Sequence, residues 1–222
     1  MTEATVDGVR AALAALEDDK TRAVNERHGD DHGVKLSALR QVAKDAGKDQ
    51  DLARALWATG ETAPRLVALL VCRVREFDAA ELDEMMREAR APKVLDWLTN
   101  YVVKKSRHAE ELRLAWHGDP DPNVAAAAWA LTAERVAKQP DGLDLDALLE
   151  EIEAGMREAP GREQWEMNTT LAQIGIEHPD KRDRALDIGE RLEVLKDYRT
   201  PPNCTSPFAP IWIREIVARR GG

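Results

Sequence analysis

The chain is 222 residues long, 33% charged and 43% hydrophobic, with a formal charge of −9. A chain of this length buries enough surface to fold without disulfides or metals, as one domain or two small ones. An excess of acid over base argues against a uniformly basic binder of polyanions, and a composition dominated by Ala and Leu favours helix over sheet.

Apolar periodicity predicts helices along nearly the whole chain. In order they are Val6–Leu16, Lys35–Ala46, Asp51–Thr59, Ala63–Val74 and Asp78–Arg90, then Pro92–Lys105, His108–Trp116 and Pro122–Lys138. Asp144–Ala159, Arg162–Ile176, Pro179–Leu195 and Pro207–Arg220 complete the set. Asp78 followed three residues later by Glu81 reads as a helix N-cap, and Pro64 sits at a tolerated first-turn position. The stretch Thr200-Pro201-Pro202-Asn203 is a loop. No segment alternates with period two for long enough to be a strand.

The helices fall into pairs. Trp57, Trp97, Trp129, Trp165 and Trp212 are separated by 40, 32, 36 and 47 residues, a spacing that suits a two-helix solenoid. Such a unit cannot bury its apolar face alone and must stack on its neighbours. A single domain over residues 1–222 is therefore expected, with helix pairs at roughly 1–60, 61–106, 107–140, 141–177 and 178–222.

Two cysteines, Cys72 and Cys204, are too few for a disulfide framework and lack metal spacing. The first residues carry no basic and apolar leader, and no apolar run approaches the roughly 20 residues that span a bilayer. A cytoplasmic protein, monomeric and with no membrane partner, is the expectation. His28 and His32 lie four apart in a Gly-Asp-Asp loop and read as loop polarity and capping around Asp31-His32-Gly33. No metal or other cofactor is expected. No Gly-rich phosphate loop, nucleophile elbow or zincin motif is present.

One helix stands out for ligand chemistry. In Asp96-Trp97-Leu98-Thr99-Asn100-Tyr101-Val102-Val103-Lys104-Lys105, residues Trp97, Tyr101 and Lys104 or Lys105 fall on one face, with Asn100 beside them. Aromatics interleaved with cations suit a stackable anion such as a nucleotide; an amphipathic helix with a solvated Lys pair at its C-terminus is the rival reading. The net charge is unevenly spread. Residues 121–180 hold 4 Lys+Arg against 13 Asp+Glu, and the acid peaks in Asp144–Glu166, an expected outer helix with a solvated face. Lys104, Lys105 and Arg107, then Lys181, Arg182 and Arg184, then Arg214, Arg219 and Arg220, could line a basic stripe across successive repeats.

Gly33-Val34-Lys35-Leu36-Ser37-Ala38-Leu39-Arg40 and Ala55-Leu56-Trp57-Ala58-Thr59-Gly60-Glu61-Thr62-Ala63-Pro64-Arg65 resemble the opening of the DNA alkylation repair enzymes with HEAT-like repeats. Leu95-Asp96-Trp97, Ala128-Trp129-Ala130-Leu131-Thr132 and Trp165-Glu166-Met167-Asn168 are similar to the same family. The tail Asn203-Cys204-Thr205-Ser206-Pro207-Phe208-Ala209-Pro210-Ile211-Trp212-Ile213 resembles an actinobacterial-type branch of it. The resemblance implies an all-α, right-handed superhelical solenoid of HEAT-like, armadillo-type repeats whose concave face cradles duplex DNA. It further implies an alkylpurine DNA glycosylase that excises N3- and N7-alkylpurines without flipping the base, two Trp and an Asp contacting the damaged nucleotide.

The chain departs from that pattern at its centre. The family's essential Asp aligns with Asn100, and an amide has no charge with which to stabilise an oxocarbenium-like sugar. Asp96, one helical turn earlier, is the substitute carboxylate. The family's groove Arg falls in Val124-Ala125-Ala126-Ala127-Ala128, and its later Trp falls near Thr169. Asp96 and Asn100 are thus the catalytic candidates, and Trp97, Tyr101, Lys104, Lys105, Trp129 and Arg214 the candidate contacts to duplex DNA, alkylated or not. The alternatives are a non-catalytic DNA binder on the same surface and a protein–protein scaffold using the acidic segment 144–166.

Overall fold

The structure is a computed structural model that describes residues 4–221; among these the chain is all-α, with thirteen α-helices and no strand. It divides into two compact units, Met1–Ala109 and Glu110–Gly222. No helix is long and apolar enough to cross a membrane.

The first unit holds α1 (Val6–Ala15), α2 (Asp19–Glu26), α3 (Leu36–Ala46), α4 (Gln50–Trp57), α5 (Thr62–Val71), α6 (Ala79–Glu88) and α7 (Pro92–Trp97). Helix α5 is the hub, packing against α3, α4 and α7, and α1 lies against α3, α4 and α5. Each contributes an apolar stripe, so Leu39, Leu56, Leu66, Leu82 and Met86 are fully enclosed. Asp78 caps α6 as its spacing predicts, accepting a hydrogen bond from the Glu81 amide at 2.8 Å.

Two features of this unit differ from expectation. Helix α2 has no buried residue and hence no apolar period to read. Asp18 starts it, accepting from the amide and hydroxyl of Thr21 at 2.8 and 2.7 Å. The second difference is in the helix expected over Pro92–Lys105. It is α-helical only to Trp97, widens to a π-helix over Leu98–Val102, and ends as a 3-10 turn over Val103–Lys105.

The second unit holds α8 (Ala109–Trp116, its first residue lying just before the boundary), α9 (Pro122–Lys138), α10 (Leu145–Gly155), α11 (Gly161–Glu177), α12 (Arg182–Leu192) and α13 (Ala209–Arg219). Helices α9, α11 and α13 form one row, and α10 packs against α12 in another. The Ala-rich run Val124–Ala128 is buried and lets α9 lie closely along α11. Trp129, Leu149, Ile152, Met156, Leu171, Ile174 and Ile213 make the core between them.

The acidic face expected on α10 is exposed, Asp146, Glu150 and Glu151 all reaching solvent, and part of it pairs with cations of the following helix. Asp146 is 2.6 Å from Lys181 and 3.2 Å from Arg184, and Glu153 is 2.7 Å from Arg191. The arginines expected to carry a basic stripe through this unit are exposed and each has an acidic partner: Arg214 pairs with Glu190 at 2.8 Å, Arg219 with Glu215 at 2.9 Å and Arg220 with Glu177 at 2.9 Å. Opposite charges distributed over neighbouring helices find one another, and the local excess of acid becomes a network.

Candidate nucleic-acid interface

The helix running from Pro92 to Lys105 carries most of the predicted residues, and a loop braces its start. Asp30, 4% exposed, accepts a hydrogen bond from the Lys93 amide at 2.8 Å. A buried carboxylate there satisfies one of the unpaired amides of the helix N-terminus and favours its dipole. The capping expected around Asp31-His32-Gly33 thus comes from Asp30 and serves a helix more than sixty residues away in sequence. His32 is buried beneath the same loop, its Nδ1 accepting from the Val34 amide at 3.2 Å. Burial pushes its pKa below the ordinary value, against the opposing pull of Asp30, Glu17 and Asp31.

Within the helix two side-chain rows emerge. Trp97 and Tyr101 pack in a tilted pair, ring centroids 5.2 Å apart and planes at 42°, and the Lys105 ammonium lies 5.4 Å from the Tyr101 ring. Alongside them Asn100 donates to the Asp96 carbonyl at 2.9 Å and accepts from Lys104 Nζ at 2.9 Å. Thr99 makes the analogous bond to the Leu95 carbonyl at 2.8 Å. The π-helix widens the backbone ladder, and these two side chains bond to carbonyls next to the widened turn. Asn100 therefore has both ends of its amide engaged by its own helix. The Asp96 carboxylate lies 3.9 Å from Lys93.

Trp97 is 5% exposed. Its ring is covered by Arg40 of α3, whose guanidinium carbon lies 5.3 Å from the ring centroid, and Arg40 also donates to the Tyr101 hydroxyl at 3.4 Å. Sequence reasoning missed Arg40. It stands at the end of the stretch Gly33–Arg40, but no spacing connects it to Tyr101, 61 positions away. Beyond it, Arg40, Lys44 and Lys48 line a shallow depression of about 320 Å³ with Ala43, Gly47 and Leu70. Lys48 donates to the carbonyls of Leu70 and Cys72 at 2.8 and 3.0 Å, closing the C-terminus of α5. Burial pushes the Cys72 thiol up, against the opposing pull of Lys48 and, more weakly, Lys105. Among the described residues, Arg40, Lys44, Lys48, Lys104 and Lys105 make no ion pair with a carboxylate.

The remaining candidates lie in the second unit. Trp129 is 2% exposed and belongs to the core of that unit, so its ring faces are not presented to solvent. Its indole N–H donates to Glu163, whose pKa burial pushes up, and His117 packs edge-on at 5.5 Å. Arg214 is exposed but tied to Glu190. No group of three or more His, Cys, Asp or Glu suited to a metal ion occurs among the described residues.

A family model described as DNA alkylation repair enzyme matches residues 9–213. A solved structure described as belonging to a new family of proteins related to the HEAT-like repeat DNA glycosylases, with affinity for branched DNA structures, superposes with a TM-score of 0.79. The two share 19% identity, over 98% of this chain and 95% of that one. The match extends the all-α, HEAT-like repeat fold to the present chain. A comparison with curated proteins gives no match.

Proposed function

Because the chain belongs to the DNA alkylation repair enzyme family, we propose that it binds DNA through the face built from Arg40, Lys44, Lys48, Lys104 and Lys105, and that it does so without excising a base. The observation that carries this reading is the set of five cations without carboxylate partners around the Trp97–Tyr101 pair. Elsewhere in the chain most arginines and lysines are neutralised by nearby acids. Cations without a carboxylate partner suit backbone phosphates, and the half-buried Tyr101 ring beside them suits contact with an unstacked or distorted step. The affinity for branched DNA described for the neighbour of similar fold makes junctions the substrate class to try beside plain duplex.

Base excision is disfavoured by the chemistry of the helix. Asn100 is neutral and held by Asp96 and Lys104, so it offers no charge to a developing oxocarbenium ion. Asp96 is the one carboxylate of this helix and is the seat of the alternative, glycosylase reading.

Binding is measured by fluorescence anisotropy on a duplex and on three- and four-way junctions over a series of salt concentrations. The expected slope of log K against log salt is about −4 to −5 if all five cations meet phosphates. Replacing both Lys104 and Lys105 by Ala lowers its magnitude by about 2. A slope near zero, or one unmoved by that double substitution, overturns the assignment. Incubation with duplex containing 7-methylguanine or 3-methyladenine is expected to release no base above the buffer control. Release that disappears in Asp96→Asn would establish the glycosylase reading instead.

A further inference from the structure

Helix α5 begins without a side-chain cap, beside a concavity of about 400 Å³. Glu61 stands at the cap position, but its carboxylate is drawn to Arg10 at 2.7 Å. The Thr62 amide accordingly has no backbone partner among the described residues. The Thr62 side chain adds a second, independent sign. Thr62 is only 9% exposed and lines the concavity, yet its hydroxyl makes no hydrogen bond among the described residues. An enclosed hydroxyl left unpaired is costly, and a guest that bonds to it removes that cost. Amide and hydroxyl donors at an open helix N-terminus suit an oxyanion.

Four charged residues share the same walls, and two of them cancel: Arg65 and Glu88 pair at 3.1 Å. The other two do not. Arg90 has one guanidinium nitrogen held by the carbonyls of Arg87 and Ala89 and no carboxylate partner among the described residues. Asp31 lines the concavity too, and its carboxylate makes no ion pair there, with Arg90 or with any other described cation. A bare anion meets Asp31 and a bare cation meets Arg90, so a guest of one sign suits only half of the lining. A guest carrying both charges suits all of it. Gly60, left-handed at φ 73°, borders the concavity with open space where a Cβ would stand. The volume falls in the ordinary range for small-molecule sites.

We propose that this concavity binds a free α-amino acid with a small apolar side chain. Its carboxylate takes the Thr62 hydroxyl, the N-terminus of α5 and Arg90; its ammonium takes Asp31; its side chain lies toward Ala91 and Val94. The site shares no lining residue with the cationic face and does not depend on the DNA-binding reading. The pairing of charges on the guest is the determinant, because each charge alone leaves one lining residue unmatched.

The test is an NMR titration of the whole protein, read at the Gly60 amide. The probes are L-valine, N-acetyl-L-valine, which keeps only the carboxylate charge, and L-valinamide, which keeps only the ammonium. L-Valine is expected to shift the Gly60 amide saturably with a millimolar Kd, the range open to so small a ligand. Each single-charge analogue is expected to bind about ten-fold more weakly. Thr62→Val is expected to weaken L-valine binding about ten-fold at an unchanged thermal midpoint. Asp31→Asn, at an exposed position, is expected to weaken L-valine about ten-fold and to leave N-acetyl-L-valine unaffected. No saturable shift, or undiminished affinity in both variants, overturns the proposal. N-acetyl-L-valine binding as tightly as L-valine overturns it by assigning a plain oxyanion site, and L-valinamide doing so overturns it by assigning a cation site.

Discussion

His32 shows how a single buried side chain links a loop to the interface. Its Nδ1 accepts the Val34 amide, and Asn25 donates to its carbonyl at 2.8 Å, so the loop that carries Asp30 to the N-terminus of α7 rests on a neutral imidazole. Burial lowers the folded pKa below the unfolded value near 6.5. Between those two values the unfolded state binds the extra proton, so stability rises with pH through the window and falls as pH drops below about 6.5. In the urea-unfolding midpoint, the loss between pH 7.5 and pH 5 is expected to be smaller in His32→Asn, where an amide oxygen accepts from Val34 without titrating. An equal loss in both proteins would assign the pH dependence to other groups. The same scale explains why Trp97 and Trp129, both in phase with the repeat, differ in surroundings. One is covered by an arginine at the surface, the other is enclosed by a core and bonded to Glu163. Period specifies the face of a helix, whereas the neighbour on that face comes from elsewhere in the chain.

Among the helices, Pro122–Lys138 is bounded in the structure as its sequence suggests, because Asp121 caps it, Pro122 opens it and its apolar content is continuous. Helix α2 was illegible for the opposite reason: without an apolar stripe only its cap betrays it. The π-helix in the middle of the interface helix was illegible as well, since it costs a backbone register that no residue type announces. Close helix approach depends on single glycines in the second unit. A Cβ at Gly189 would lie 2.7 Å from two carbons of the Pro210 ring, which cannot rotate aside, whereas one at Gly155 would meet only the end of Met167 at 3.6 Å. Gly189→Ala is expected to cost about 1–3 kcal/mol by overpacking. Gly155→Ala is expected to be neutral or to stabilise by up to about 1 kcal/mol through helix propensity. Both are read from thermal or urea unfolding, and equal effects would contradict the difference in packing.

For the molecule as a whole, a charge of −9 says little about partners until its distribution in space is known. Lys181, Arg184 and Arg191 are matched by Asp146, Glu153 and Asp187. Replacing those three cations by Ala is therefore expected to leave DNA affinity within about two-fold at 0.15 M salt, where exposed charges beyond about 8 Å are screened. A loss as large as that of the Lys104 and Lys105 pair would mean that net charge, not the local face, governs binding. The amino-acid order alone determined the helical class, the paired repeat, most helix limits and the family, because apolar period and caps are local properties of the chain. It also located the Trp97–Tyr101–Lys105 row, which lies on one helix. What the tertiary structure decided was which charges remain available. Arg40 meets Tyr101 across 61 positions, the acids of α10 meet the bases of α12, and Asp30 reaches the start of α7. Electrostatic pairing acts through space over a few ångströms, and only the packed chain says which residues come that close.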